Sequence, residues 1–250
     1  MKTTDAFTRG QNLISTILKQ MGEITKWQRE FISKIFLLCI GMEGRFNFLQ
    51  MGREGEYHEQ TYRNNFEREF DFMTFNSHLI DQISSGELII AFDPSYITKS
   101  GKKTKDLGYF FSGTAGMYKK GLEIGGIAAI DTKQNTAYHL EAIQSPSAKK
   151  GTIKKDYTLV DHYAKILIQR APILTQKSKI LVVDGYFAKG NFINPLDAQT
   201  DFTIICRLRD DANLMYIYNG PKSKGKGRPK KYQGKVNTKN IDKRIFKKKI

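Results

Sequence analysis

Two short apolar runs, each followed directly by an aspartate, constrain the fold of this chain more than any other feature. Residues 88–92 (LIIAF) precede Asp93, and residues 180–183 (ILVV) precede Asp184. Short continuous apolar runs are typical of strands that are buried on both faces of a sheet. A charge directly after such a strand lies at the carboxyl edge of the sheet, where open α/β sheets build their sites. We therefore expect both carboxylates at one edge of the same sheet.

Two carboxylates at neighbouring strand ends have a specific chemical consequence. If they lie a few ångströms apart they repel, so that one takes a proton or both hold a cation. Hard oxygen ligands with phosphates nearby favour Mg²⁺ or Mn²⁺. The alternative interpretation is that each aspartate only begins a turn, helped by Pro94 and Gly185. The matching positions of Asp93 and Asp184 favour the cation site.

Apolar periodicity divides the chain into a helical region at 1–78, an α/β region at 84–218 and a basic segment at 219–250. In the first region, the spacing predicts a helix that includes residues 13–21 and a second helix starting at Thr25 and Gln28, which have capping-box spacing. In the α/β region, apolar runs predict strands at 88–92, 122–130, 136–143, 180–183 and 202–206, with helices near 159–167 and 188–198. This order predicts three antiparallel strands followed by helix-linked parallel strands, as in a ribonuclease-H-like mixed sheet.

A short helix predicted over residues 59–70 is a candidate DNA reader. It would be the groove-reading helix of a helix-turn-helix-like bundle, and Tyr62 and Arg63 on it are candidate DNA contacts. The spacing places Tyr62, Phe66 and Phe70 inward and leaves Arg63 on another face. An ordinary helical cap on the next region is the alternative, and the sequence does not separate the two.

The charge distribution points to a polyanionic partner. The net charge is +16, and residues 219–250 contribute eleven Lys and two Arg against one Asp, a net of +12. Lys and Arg release condensed counterions when they meet phosphates, so this segment favours nucleic acid, although a solvated loop is the alternative. Residues 226–230 (KGRPK) contain a Gly-Arg-Pro core like that of an AT-hook, which makes Arg228 and Lys230 candidate minor-groove contacts.

A second basic stretch follows the first aspartate. It lies on a Gly/Ser/Thr-containing loop and consists of Lys99, Lys102, Lys103 and Lys105. These side chains are candidates to track a DNA backbone toward the metal ions. A solvated loop is again the alternative for the same residues.

Several classes of protein are disfavoured. The longest strongly apolar stretch, residues 35–42, is far shorter than the roughly 20 residues of a membrane helix. The N-terminus has no signal-peptide pattern. Cys39 and Cys206 are the only cysteines and lie far apart, so neither a disulfide framework nor a Cys-rich zinc module is expected. We expect a protein of a reducing cytoplasm, without membrane contact.

Several stretches together give the chain a resemblance to bacterial insertion-sequence transposases of the DDE cut-and-paste class. They are residues 93–102 (DPSYITKSGK), 112–113 (SG), 121–124 (GLEI), 139–142 (HLEA), 184–189 (DGYFAK) and the Lys/Gly/Arg/Pro segment 220–234. The resemblance implies a ribonuclease-H-like catalytic domain with two Asp and one Glu, in which Asp93 matches the first acid and Asp184 the second. It also implies two Mg²⁺ or Mn²⁺ ions and double-stranded DNA, as transposon ends and target. A homodimer and a nucleoid-associated place in the bacterial cytoplasm are further implications.

The third acid of the resemblance has no counterpart here. In the family the Glu follows on a helix after an insertion, whereas no Glu occurs in this sequence after Glu141. The expectation is therefore a truncated transposase that binds DNA and cuts it poorly or not at all. A non-enzymatic DNA-binding fragment that occupies element ends or inhibits the full-length enzyme is the alternative.

Overall fold

The computed structural model describes residues 2–147, 157–208, 212–221, 227–237 and 240. The helices within them are α1 (Lys2–Gln20), α2 (Lys26–Gly41), α3 (Phe48–Glu54), α4 (Glu59–Phe66), α5 (Phe72–Ile83), α6 (Leu159–Lys177) and α7 (Gly190–Gln199). The strands are β1 (Leu88–Thr98), β2 (Gly108–Ser112), β3 (Met117–Asp131), β4 (Thr136–Gln144), β5 (Ile180–Val183), β6 (Thr203–Cys206), β7 (Met215–Ile217) and β8 (Tyr232–Lys235). The protein is therefore a mixed α/β structure.

The chain forms two compact units, Met1–Cys206 and Arg207–Ile250. The first contains the helical region together with the large sheet. The second contains an antiparallel pair of strands, β7 and β8. The basic segment expected from residue 219 thus begins inside a unit that starts at Arg207, because β8 pairs back onto residues that precede 219.

The first two helices of the helical region agree with the prediction from apolar spacing, whereas the helix predicted at its end is shorter in the structure. Ile17 and Leu18 of α1 are fully buried and cluster with Phe75 of α5. Thr25 caps α2 by accepting a hydrogen bond from the Gln28 N–H at 3.1 Å, which stabilises the first turn. The helix predicted over 59–70 ends at Phe66, because Asp71 caps a new helix, α5.

The main sheet has the order β2-β3-β1-β5-β6, and β4 pairs with β3 on the side away from β1. β1 is antiparallel to β3 and parallel to β5, and β5 is parallel to β6. Helices α5, α6 and α7 cover one face, where Ile90, Leu167 and Leu181 are fully buried in the largest core cluster. The predicted mixed sheet of antiparallel and parallel strands is therefore confirmed.

The first strand is longer than its apolar run predicts. Asp93 lies within β1 and not at its end, because residues up to Thr98 continue to pair with β3. The parallel pairing with β5 ends at Phe92 and Val183. Pro94 lies beyond that ladder, so its missing N–H leaves no bond to β5 unmade. β2, which the apolar runs did not predict, pairs with the first residues of β3.

The second face of the sheet stays partly open. Ile89 and Ala91 of β1 and Val182 of β5 alternate with the core residues and are only half-buried. Ile205 of the edge strand β6 is 51% exposed. The continuous apolar runs predicted strands that are buried on both faces of the sheet. In the described residues, only one face is fully covered.

Candidate functional site

The two predicted acids occupy matching positions on neighbouring strands. Phe92 and Val183 are register partners and both are buried in the core. Asp93 is the next residue of β1, and Asp184 is the first residue after β5. Side chains alternate along a strand and adjacent strands lie about 4.8 Å apart, so both aspartates follow the core pair at one level of the sheet. Both are solvent-exposed residues.

The electrostatics of the pair agree with this proximity. Partial burial, and after it the negative charge of Asp184, raise the pKa of Asp93 above its ordinary value. Two nearby carboxylates disfavour each other's ionised form, and a bound cation removes that repulsion. The pair therefore has a donor set that suits one divalent cation, whose other positions water or phosphate would fill.

Asp184 also begins a turn, in agreement with the alternative interpretation of its sequence position. Its Oδ1 accepts a hydrogen bond from the Tyr186 N–H at 2.9 Å and caps a short 3₁₀ turn, Gly185–Phe187. This bond holds the carboxylate in a defined orientation. Turn formation and cation binding are compatible here, because a carboxylate has two oxygens and about four acceptor positions.

A third acid is not part of this arrangement. Within the described ranges, no group of three or more His, Cys, Asp or Glu side chains is placed to hold a metal ion. Glu123 of β3 accepts hydrogen bonds from the Tyr163 hydroxyl at 2.6 Å and the Ser145 hydroxyl at 3.1 Å. Tyr163 is buried on α6, so this carboxylate is committed to the helix-covered side of the sheet. The two-metal arrangement implied by the resemblance is thus incomplete in the described residues.

A phenol follows Asp184 in the turn, an ammonium group lies over its ring, and the sequence pattern assigned neither of them a role. Tyr186 is half-exposed, and its pKa is raised by burial and then by the negative charge of Glu123, with smaller effects from Tyr118 and Asp184. The Lys189 Nζ lies 3.9 Å from the centroid of the Tyr186 ring. Both residues belong to the DGYFAK stretch, but the contact between the two side chains is visible only in the structure.

The four predicted lysine contacts follow the strand that carries Asp93. Lys99, Lys102, Lys103 and Lys105 are exposed in the connection between β1 and β2. Thr98 lies five residues after Asp93 on β1, which at about 3.3 Å per residue is roughly 17 Å. This length corresponds to roughly five base pairs at a rise of 3.4 Å. The end of β1 is therefore not beside the acid pair, and contact of the four lysines with DNA remains a prediction.

The two predicted DNA contacts on α4 differ in burial. Tyr62 is only 2% exposed and packs against Phe31 and Tyr57, so its prediction as a DNA contact is corrected: the ring is part of the core. Arg63 is exposed, pairs with Glu59 one turn earlier, and places its guanidinium 4.9 Å from the Phe48 ring centroid. DNA contact by Arg63 remains a prediction and would replace a surface ion pair, which is a weak interaction.

The AT-hook-like residues lie in the second unit. Arg228 and Lys230 are exposed and lie between β7 and β8 in the sequence, while Lys226 falls outside the described residues. The Lys230 Nζ lies 5.0 Å from the centroid of the Tyr218 ring. The Tyr218 hydroxyl in turn donates to the Pro221 carbonyl at 3.2 Å. Minor-groove binding by these residues remains a prediction.

Comparison with known proteins adds no assignment to this geometry. In the part of the chain that the structure describes, no helix is long and apolar enough to cross a membrane. No protein-family model matches the chain, and no curated protein matches it.

Proposed function

We propose that this chain is a DNA-binding protein of the DDE transposase type, acting on double-stranded insertion-element ends and target DNA in the bacterial cytoplasm. Asp93 and Asp184 hold Mg²⁺ or Mn²⁺. Metal-dependent phosphodiester hydrolysis and strand transfer are impaired in it, because the described residues place no third acid beside Asp93 and Asp184. The observation that carries the proposal is the placement of Asp93 and Asp184 directly after the register partners Phe92 and Val183 of two parallel strands.

The topology supports this proposal at the level of fold. Three antiparallel strands, β4, β3 and β1, are followed in the sheet by the parallel strands β5 and β6. This arrangement is consistent with a ribonuclease-H-like sheet that carries the first acid on its central strand. Fold alone does not specify function, so the acid pair has to carry the chemistry.

Each nearby group has a defined part in the proposal. A divalent cation of this kind polarises a phosphodiester and lowers the pKa of bound water. Asp93 and Asp184 bind it, and the Tyr186 N–H orients the Asp184 carboxylate. Lys189, beside the Tyr186 ring, supplies a positive charge for a non-bridging phosphate oxygen. The exposed lysines between β1 and β2 bind the DNA backbone.

The alternative function, DNA binding without catalysis, is favoured by one specific observation. Glu123 is engaged by Tyr163 and Ser145, and the described residues offer no third ligand. With two of three carboxylates, metal ions are held less tightly. Such a chain would occupy element ends and inhibit an intact enzyme.

Metal binding tests the proposal most directly. In a titration of Mn²⁺ followed by electron paramagnetic resonance, the wild-type chain is expected to bind Mn²⁺, and Asp93→Asn and Asp184→Asn are each expected to weaken that binding about tenfold or more. Asp197→Asn removes an exposed acid of α7 and serves as the control. Equal binding by the wild type and both site variants would refute the cation site.

Nicking of supercoiled plasmid then separates the two functions. Impaired catalysis predicts little or no nicking by the wild type in Mg²⁺ or Mn²⁺, although the same preparation binds DNA. Appreciable Mg²⁺-dependent cleavage that Asp184→Asn abolishes would contradict the expected impairment and leave the transposase assignment in place.

A further inference from the structure

A short two-stranded arm carries an unusual surface. We call residues 108–121 the β2–β3 arm, which comprises β2, a four-residue loop at 113–116 and the start of β3. One face is anchored, since Phe110 and Ser112 are buried. The other face exposes three aromatic rings: Tyr109 is 71%, Phe111 52% and Tyr118 70% exposed. A solvated sheet face is ordinarily polar, so a group of exposed rings on this face marks a contact surface.

The three rings form one continuous surface. The register pairs Phe111 with Tyr118 and Tyr109 with Lys120, which places these side chains on the same face. The centroids of the Phe111 and Tyr118 rings lie 5.7 Å apart with their planes at 72°. Tyr109 is two residues from Phe111, roughly 7 Å along the strand. The surface therefore offers several ring faces in a row, with an ammonium group at one end.

The surroundings of the arm are positively charged. Residues 99–121 contain six Lys and one acid, Asp106, a net of 6 − 1 = +5. Lys120 lies on the ring-bearing face, and Lys119 is exposed on the arm as well. A second copy of the same surface would bring these lysines against one another, which opposes a symmetric dimer through this face. A polyanion with flat apolar groups complements both the charge and the rings.

The arm also shares a face of the sheet with the first acid. Gly126 of β3 is the register partner of Asp93, and Lys120 is an even number of residues earlier on the same strand. Side chains of even spacing point to one side, so Lys120 and the rings lie on the Asp93 side of the sheet. Six residues correspond to roughly 20 Å. A single DNA strand can extend over this distance between the two places.

We infer that the β2–β3 arm binds unpaired nucleotides of a DNA strand, whose bases stack on Tyr109, Phe111 and Tyr118 while Lys120 contacts the phosphates. The inference rests on the proposed function and names the form of DNA that this part of the molecule selects. A duplex keeps its bases stacked inside and presents only their edges, whereas an unpaired base exposes a π-face to an aromatic ring. The arm therefore distinguishes frayed, overhanging or single-stranded DNA from a blunt duplex.

The test compares three fluorescein-labelled DNAs by fluorescence anisotropy: a 20-base single strand, a blunt 20-base-pair duplex and the same duplex with an overhang. The wild type is expected to bind the single strand and the overhang more tightly than the blunt duplex. Tyr109→Ala/Tyr118→Ala is expected to weaken binding to both unpaired substrates about tenfold or more, since one stacked base accounts for roughly 5- to 150-fold in affinity. Blunt-duplex affinity is expected to change less than about twofold.

Matched variants separate base stacking from apolar contact, from charge and from loss of folding. Phe46→Ala removes an exposed ring of the helical region and is expected to leave all three affinities unchanged. Tyr109→Leu/Tyr118→Leu keeps apolar surface without a π-system and should lose most of the preference for unpaired bases. Lys120→Ala should lower the salt dependence of single-strand binding by about 0.7 in the logarithmic slope. Circular dichroism and thermal midpoints confirm that these surface variants are folded.

Three outcomes overturn the inference. One is equal affinity of the wild type for single strand and blunt duplex, and another is an equal loss on all DNAs in the tyrosine variant. The third is a change in sedimentation of the tyrosine variant with no change in DNA affinity, which would make the arm a contact between copies. If the wild type binds blunt duplex and shows no preference for unpaired bases, only this inference is refuted. If it binds none of the three DNAs, the proposed function is refuted as well.

Discussion

At the scale of single residues, Gly125 and Gly126 of β3 lie side by side and face opposite sides of the sheet. A Cβ at Gly125 would lie 2.8 Å from the Phe92 ring and 3.1 Å from the Tyr163 ring, whereas at Gly126 the nearest atom would be the Asp93 carbonyl oxygen at 3.6 Å. The two rings therefore occupy the space that a side chain at position 125 would need. A Cβ at position 126 would make only an ordinary van der Waals contact.

Gly125→Ala is expected to lower the free energy of unfolding by about 1–3 kcal/mol, because the added methyl group overpacks the two rings. Gly126→Ala, its neighbour with an open Cβ position, is expected to change it by roughly 0.5 kcal/mol or less. Urea denaturation followed by circular dichroism measures both. Equal effects of the two substitutions would show that the core at Phe92 and Tyr163 is looser than the structure has it.

The fully buried Asp131 connects the segment at Ser85 to the turn after β3. Its carboxylate accepts hydrogen bonds from the Ser85 N–H and hydroxyl, both at 2.7 Å, and from the Gln134 and Lys133 N–H groups at 2.8 and 3.1 Å. Burial alone raises the pKa of Asp131, but these hydrogen bonds outweigh it, and the pKa lies below its ordinary value. The ionised form is therefore the one that the fold selects.

Asp131→Asn is expected to lower the urea midpoint at pH 7, and the difference from the wild type is expected to shrink in acid. Because the folded-state pKa is depressed, the stabilisation is fully present above the unfolded-state pKa of roughly 3.9 and is lost as the pH falls through the lower folded-state value. Urea titrations at several pH values between 7 and 2.5 measure this, with Asp197→Asn as the exposed control. A difference that is independent of pH would contradict the charged, hydrogen-bonded state.

At the scale of elements, α6 begins with a reciprocal cap that the apolar pattern alone did not indicate. The Thr158 hydroxyl accepts from the Asp161 N–H at 3.3 Å, and the Asp161 carboxylate accepts from the Thr158 N–H at 2.7 Å. Asn191 of α7 donates to the same carboxylate at 2.9 Å. The cap thus fixes the start of the helix that covers the core and links it to α7.

Thr158→Ala is expected to lower the free energy of unfolding by about 1 kcal/mol, since a lost N-cap costs 0.5–2 kcal/mol. Thr158→Ser keeps the hydroxyl group and is expected to retain most of that stability. Thermal or urea unfolding of the two variants makes the comparison. An equal loss in Ser and Ala would mean that the threonine methyl group, and not the cap, is responsible.

At the scale of the whole molecule, the net charge of +16 makes salt dependence the clearest signature of DNA binding. Each lysine that contacts a phosphate of duplex DNA contributes about 0.9 to the slope of log affinity against log salt concentration. Replacing Lys99, Lys102, Lys103 and Lys105 together with Ala is expected to lower the slope by up to about 3.6. Lys133→Ala, at the turn between β3 and β4, is expected to leave it unchanged. A slope unaffected by the fourfold variant would remove this loop from the DNA surface.

Much of the fold followed from local patterns, and the parts that did not follow share a cause. Apolar runs predicted five strands of the α/β region and two helices, within a few residues apart from β1, β3 and α6, which are longer than predicted. The arm at 108–121 was missed, because its residues Tyr109 to Phe111 are all aromatic and show no polar alternation. Tyr62 was placed correctly inward by its spacing and yet named as a DNA contact, which its burial rules out.

The sequence alone determined where the two aspartates follow apolar runs, where the N-cap of α2 falls, and where positive charge accumulates. Tertiary structure alone decided that β1 and β5 are neighbours and that Phe92 and Val183 share a register. It also decided that Glu123 turns to Tyr163, away from Asp93. The physical reason is that periodicity and capping act within a few residues. Strand pairing joins residues about ninety positions apart, through contacts that exist only once the core has closed.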